Sequence, residues 1–151
     1  MKITVCAIGR LKAGPERDLW ERYSIRLRCP LKIIELEARK KVSAAVLKRL
    51  EGTLLTDAIP AGTLVVALDE RGKSFSSSAF ANQLTSWNDM GRNLTFLIGG
   101  SNGIDQSILD NAHLTMSFGT ATWPHMLARI LLIEQLYRAE QILTGTPYHR
   151  D

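Results

Sequence analysis

Short apolar runs of strand length alternate along this chain with longer segments in which apolar residues recur every three or four positions. That order commits a sequence to repeated βα units and a parallel sheet, because an amphipathic helix after each strand returns the chain to the same edge. The predicted strands are Ile3 to Ile8, Leu31 to Leu36, Thr63 to Leu68, Leu94 to Ile98 and His113 to Phe118. The last four are short and rich in apolar residues, as strands covered on both faces should be. The expected fold class is α/β, a parallel-type sheet with helices on both faces. With 151 residues and no linker, repeat or low-complexity stretch, residues 1–151 read as a single domain.

The first predicted helix opens at Gly14 and Pro15, with Glu16 and Asp18 favourably placed in its first turn. It carries Leu19, Tyr23 and Leu27 on one face and Arg17, Arg22, Arg26 and Arg28 on the other. The second runs from Val42 to Ala58 on a stripe of Val46, Leu50 and Leu54. The third spans Ser76 to Met90, opened by serines that cap free N–H groups and closed by Gly91. Ile104 to Ala112 is a short crossover. The last helix, Pro124 to Leu143, is apolar on several faces, which implies deep burial or a subunit interface.

The net charge of +4 is unevenly spread: residues 1–60 hold thirteen Lys and Arg against seven Asp and Glu, residues 61–151 six against eight. A basic first half is the footprint expected of a phosphate-backbone partner, although charge runs are more often simply solvated surface. Cys6 and Cys29 lack metal-ligand spacing and read as reduced thiols. No run approaches the length of a membrane span, and the start of the chain lacks the features of a secretory leader, so the expected location is the cytoplasm.

In open parallel sheets, ligands bind beyond the carboxyl ends of the strands. Three segments there stand out: Leu68-Asp69-Glu70-Arg71-Gly72-Lys73, Ile98-Gly99-Gly100-Ser101-Asn102-Gly103, and Phe118-Gly119-Thr120-Ala121-Thr122-Trp123-Pro124-His125. The glycines fit neither a dinucleotide fingerprint nor a phosphate-binding loop with its lysine. They permit either close approach of a ligand or a sharp turn. His125 reads as structural or functional. Nothing resembles a hydrolase triad or a metal cluster.

Read together, Ile3 to Lys12, Leu68-Asp69, Leu97 to Gly103, Trp123-Pro124-His125, Glu134 to Ala139 and Pro147-Tyr148-His149-Arg150 resemble the RlmH family of SPOUT methyltransferases over essentially the whole length. The final Asp151, where Glu or Lys is as readily expected, is a tolerable variation. The resemblance implies a C-terminal trefoil knot, a homodimer paired through the last helix, and S-adenosylmethionine held by the knotted loops. The contacts it implies are Leu68, Gly99, Gly100, Phe118, Gly119, Thr120, Ala121, Thr122 and Trp123. The acceptor it implies is N3 of a pseudouridine in large-subunit ribosomal RNA, on assembled ribosomes.

For the acceptor side the tail supplies candidates: His149 as base or positioner, Tyr148 to stack on a base, and Arg150 to hold phosphate. Folding alone is not expected to require this terminus. A nucleotide-dependent oxidoreductase and an RNA-binding module without chemistry are the competing readings. The missing fingerprint after the first strand weighs against the former.

Overall fold

The computed structural model describes residues 1–150; Asp151 lies outside the described residues. Its elements are β1 (Ile3–Ile8), α1 (Pro15–Ser24), β2 (Leu31–Leu36), α2 (Ala44–Ala58), β3 (Leu64–Ser74), α3 (Ser77–Asp89), β4 (Leu94–Ile98), α4 (Gln106–Asn111), β5 (Leu114–Ser117) and α5 (His125–Leu143). The strands form one parallel sheet in the order β2-β1-β4-β3-β5. Side-chain alternation along the strands divides their residues between two cores. Ile3, Val5, Val66, Leu94, Phe96 and Met116 pack with Trp20 of α1, Phe80 and Leu84 of α3 and Leu132, Ile133 and Leu136 of α5. Cys6, Ile8, Ala67 and Leu97 pack with Leu55 of α2, with Ile104, and with Leu109 of α4. Helices therefore cover both faces.

Crossovers α1 and α3 step one way along the sheet and share one face, while α2 and α4 step the other way on the opposite face. All four connections thus have a common hand, as strand twist demands. Caps define the helix starts locally: Ser43, Ser76 and Asp105 accept hydrogen bonds from the backbone N–H of Val46, Ala79 and Ser107.

Besides shifts of a residue or two at several element ends, three features differ from the sequence reading. α1 ends at Ser24, so Arg26, Leu27 and Arg28 leave the helix, although Leu27 still packs on the core. The buried face of α2 is Glu51, Gly52 and Leu55, one step round from the half-buried stripe of Val46, Leu50 and Leu54. Gly52 permits this rotation, since a Cβ there would lie 3.1 Å from Ile108 Cδ1 and 3.3 Å from Asp105 Cβ.

The third difference positions the site. β3 continues past Leu68 to Ser74, and Met116 of β5 is paired both with Leu68 and with Lys73. A strand residue has two hydrogen-bonding edges, so Asp69 to Gly72 carry the chain across β5 from one edge to the other. Gly72 sits at the crossing: a Cβ would fall 2.6 Å from the Met116 nitrogen and 2.7 Å from the carbonyl carbons of Thr115 and Met116. A polar segment gives no periodicity to announce such pairing. Because backbone cannot move aside as a side-chain tip can, Gly72→Ala is expected to cost at least about 2 kcal/mol in urea unfolding. A variant as stable as wild type would show that the crossing is looser than this geometry.

Candidate active site at the carboxyl edge of the sheet

The carboxyl ends of β3, β4 and β5 open into a cleft of about 820 Å³. Leu68, Ile98 and Met116 line its strand-end side, the Gly99–Gly103 loop forms one wall, and Ser117 to Trp123 with Pro124 and His125 form another. Leu68, Gly99, Gly100, Phe118, Gly119, Ala121, Thr122 and Trp123, singled out from the sequence, all line it. Thr120 is exposed and outside the lining.

The walls are stiffened by their own contacts. A Cβ on Gly99 would lie 2.7 Å from the carbonyl carbon of Gly103, and Gly103 N donates to Gly100 O at 3.0 Å. Of the two uses a glycine loop can have, Gly99 therefore serves the sharp turn. A Cβ on Gly100 would meet the Glu51 carboxylate at 2.9 Å and Ile8 at 3.0 Å. In the third loop, Ser117 Oγ accepts from Gly119 N at 3.1 Å, and Trp123 Nε1 donates to Phe118 O at 3.3 Å. The Thr122 hydroxyl donates to Glu70. Arg71 is held by Asp69 at 2.8 Å and donates to Gln106 of α4 at 3.4 Å, so the β3 crossing is tied to the third loop through Glu70 and to α4 through Arg71.

Behind the cleft, the fully buried Arg129 of α5 donates to the Ile8 and Gly9 carbonyls at 2.6 and 2.7 Å and to Glu35 of β2 at 2.9 Å. Glu35 also accepts from Leu11 N at 2.7 Å. One turn earlier on α5, His125 faces the cleft. Burial and then the nearby Arg129 charge hold its pKa below the ordinary imidazole value, which keeps the ring neutral at physiological pH.

The tail takes a different place. The Tyr148 hydroxyl donates to Glu134 at 3.1 Å and lies 3.3 Å from the Tyr23 hydroxyl. Its ring packs edge-on against Tyr137 at 4.8 Å, with the Arg138 guanidinium 4.8 Å from its centroid. Arg138 is paired to Glu134 at 2.5 Å and lies 3.3 Å from His149 Nδ1. Burial, reinforced by Tyr23 and Glu134, pushes the Tyr148 hydroxyl well above the usual phenol range. Tyr148 is thus docked on α1 and α5, and His149 on α5. Glu134 follows His125 by nine positions, about 14 Å along the helix, so within one chain the tail residues and the cleft residues are not brought together.

A family model described as "Predicted SPOUT methyltransferase" matches residues 1–149. The chain belongs to the SPOUT methyltransferase family. The ribosomal RNA large subunit methyltransferase H of Rhodospirillum centenum is 50% identical over 151 residues, covering 99% of each chain. The protein of the same name from Dinoroseobacter shibae is 49% identical over 159 residues, again with 99% of each covered. Among solved structures, a probable methylase family protein from Haemophilus influenzae Rd KW20 superposes with a TM-score of 0.58 at 12% identity. That match covers 95% of this chain and 66% of the other, a likeness of fold.

Membership in the SPOUT methyltransferase family requires a methyl donor. Among the described residues, no group of three or more His, Cys, Asp or Glu is placed to hold a metal ion, and no helix is long and apolar enough to cross a membrane. Sequence reasoning passed over the Arg129–Glu35 pair, whose members are 94 positions apart, and Lys48 of α2, which also lines the cleft. It also passed over Glu51. This carboxylate is 7% exposed, with Oε2 unpartnered, and burial raises its pKa.

The folded state therefore holds the Glu51 proton more tightly than the unfolded chain does. Stability from this group is greatest below the ordinary carboxylate range and falls as pH rises from there through the raised folded value. Glu51→Gln is expected to leave Tm nearly unchanged at about pH 4 and to raise it by about 2–4 °C at pH 8. Equal Tm differences at both pH values in thermal denaturation would contradict an ionisable, unpaired carboxyl beneath Gly100.

Proposed function

We propose that this SPOUT protein transfers the methyl group of S-adenosylmethionine to N3 of a pseudouridine in 23S RNA of the large ribosomal subunit, on assembled ribosomes in the cytoplasm. The observation that carries the reading is the division of labour within the chain. A stiff, glycine-walled cleft lies at one end of α5, and a cluster of stacking, titratable and phosphate-matching groups lies well along the helix from it. The names of the close relatives support the RNA acceptor.

The cleft suits the donor. Its volume falls within the range of about 300–1,000 Å³ typical of small-molecule sites. Leu68, Ile98 and Phe118 offer an apolar slot, the backbone of Gly99, Gly100 and Gly119 offers polar atoms, and Asp69 and Glu70 offer negative charge toward a cationic ligand. Leu68, Gly99, Gly100, Phe118, Gly119, Ala121, Thr122 and Trp123 would hold it, with Thr120 at the exposed rim. Bound there, S-adenosylmethionine supplies a methyl group on a cationic sulfur, open to in-line attack.

The protein's own tasks are alignment and proton removal. Placing the acceptor nitrogen against the donor contributes much of the acceleration in a two-reactant displacement. The N3 proton must leave. His149 is the proposed base or positioner, Tyr148 the platform for the uracil ring and Arg150 the group that holds phosphate. In this reading a second copy, packed through α5, supplies the tail to the cleft. Leu127 and Leu143 of α5 are 39% and 51% exposed, and an apolar groove of about 300 Å³ runs beside Met1, Ile3, Leu84, Leu136 and Leu143. The passage of residues 69–72 across β5 supports the knotted path expected for the family.

Incubation with labelled S-adenosylmethionine and ribosomes is expected to place label in 23S RNA; label in protein alone, or none, would refute the activity. For the shared site, Ala121→Trp, which fills the cleft, and the double change His149→Ala with Arg150→Ala are each expected to abolish turnover. Co-expressed in one dimer they are expected to restore it, because one cleft then faces one intact tail. Failure of complementation in a purified mixed dimer would place tail and cleft in the same chain.

A further inference from the structure

We infer that the loops leaving β1 and β2, bearing Arg10, Lys12, Arg39, Lys40 and Lys41, form with Lys48 of α2 a surface for the phosphate backbone of the acceptor RNA. The inference rests on the methyltransferase reading above and assigns the acceptor a path over the protein.

Parallel strands place all their carboxyl ends on one edge, so these loops share the edge that opens into the cleft. Ile8 and Leu36 are register partners, which sets the two loops side by side, and Arg10 reaches Glu37 at 3.4 Å across them. Arg39 pairs with the same carboxylate at 2.9 Å. Glu37 is thus shared by two arginines, which hold its carboxyl below the ordinary value. Lys12, Lys40 and Lys41 are exposed, and none of them forms an ion pair among the described residues.

Lys48 joins this surface to the chemistry, since it lines the cleft itself. The α2 helix that follows the second loop has no acid in its first turn, whereas α1 has Glu16 and Asp18 there. Positive charge gathered before an unneutralised helix start is unfavourable for the free protein and favourable toward a polyanion. Acids stand among these groups, Glu37 between the loops and Asp69 and Asp105 near Lys48, but Lys12, Lys40 and Lys41 are left outside the ion pairs of the described residues.

The test measures binding of ribosomes and of 23S RNA across a salt series, with methyl transfer measured in parallel. Lys40→Gln with Lys41→Gln is expected to weaken binding at low salt about tenfold or more, and to lower the slope of log affinity against log salt by about 0.7–0.9 for each phosphate that is no longer neutralised. Lys32→Gln with Arg92→Gln removes the same charge at the amino edge of the sheet and is expected to change neither. Calorimetric affinity for S-adenosylmethionine should match wild type in both, which also reports that both are folded. Equal loss in the two double variants would reduce the effect to net charge and overturn the proposed surface. No loss in the Lys40/Lys41 variant, with wild type active on ribosomes, would overturn the surface and leave the methyltransferase reading intact. A wild-type protein that neither binds nor methylates RNA would refute both.

Discussion

A guanidinium without solvent contact ties three distant parts of the chain together. Arg129 leaves α5, takes the last carbonyls of β1 and pairs with Glu35 of β2, which in turn holds the Leu11 amide. Removing two charges from water costs several kcal/mol, and apolar replacements of buried pairs are often as stable. The contribution of this cluster is therefore placement more than stability. It sets the start of α5 against the carboxyl edge of the sheet, so that His125 and the Phe118–Trp123 loop close the cleft. It also anchors the loop that carries Arg10 and Lys12.

Around that anchor the loops gain shape from close backbone approach. Gly72 crosses Met116, Gly99 folds against Gly103, and Gly100 lies over Glu51, each without room for a side chain. Hydrogen bonds from Thr122 to Glu70 and from Arg71 to Gln106 tie the β3 crossing to the third loop and to α4. Loops held in this way lose little further freedom when a ligand arrives, which is the physical content of a preorganised site. The tail cluster is likewise fixed, to Glu134 and Tyr23.

The strands were legible because a strand covered on both faces must be apolar, and β1, β2 and β4 have the boundaries that their apolar runs predict. That the loops after β3, β4 and β5 share one cleft was legible because parallel sheets put them at one edge, although the sequence could not say whether Gly99 admits a ligand or a turn. Three features left no signal. Lys73 and Ser74 pair with β5 through backbone atoms, which polar side chains do not report. Arg129 and Glu35 each look like exposed helix and strand residues until the fold joins them. Tyr148 looks like a free end because the partners that dock it, Tyr23 and Glu134, lie elsewhere in the chain.

Amide hydrogen exchange with and without S-adenosylmethionine tests the central claim, that a preformed strand-end cleft receives the methyl donor. Added donor is expected to protect residues 98–103 and 117–123 together with the β3 crossing at 69–72, and to leave the α1 and α5 contacts of the tail unchanged. Protection confined to the apolar groove around Met1, Cys29 and Leu143, with the strand-end loops unaffected, would contradict it.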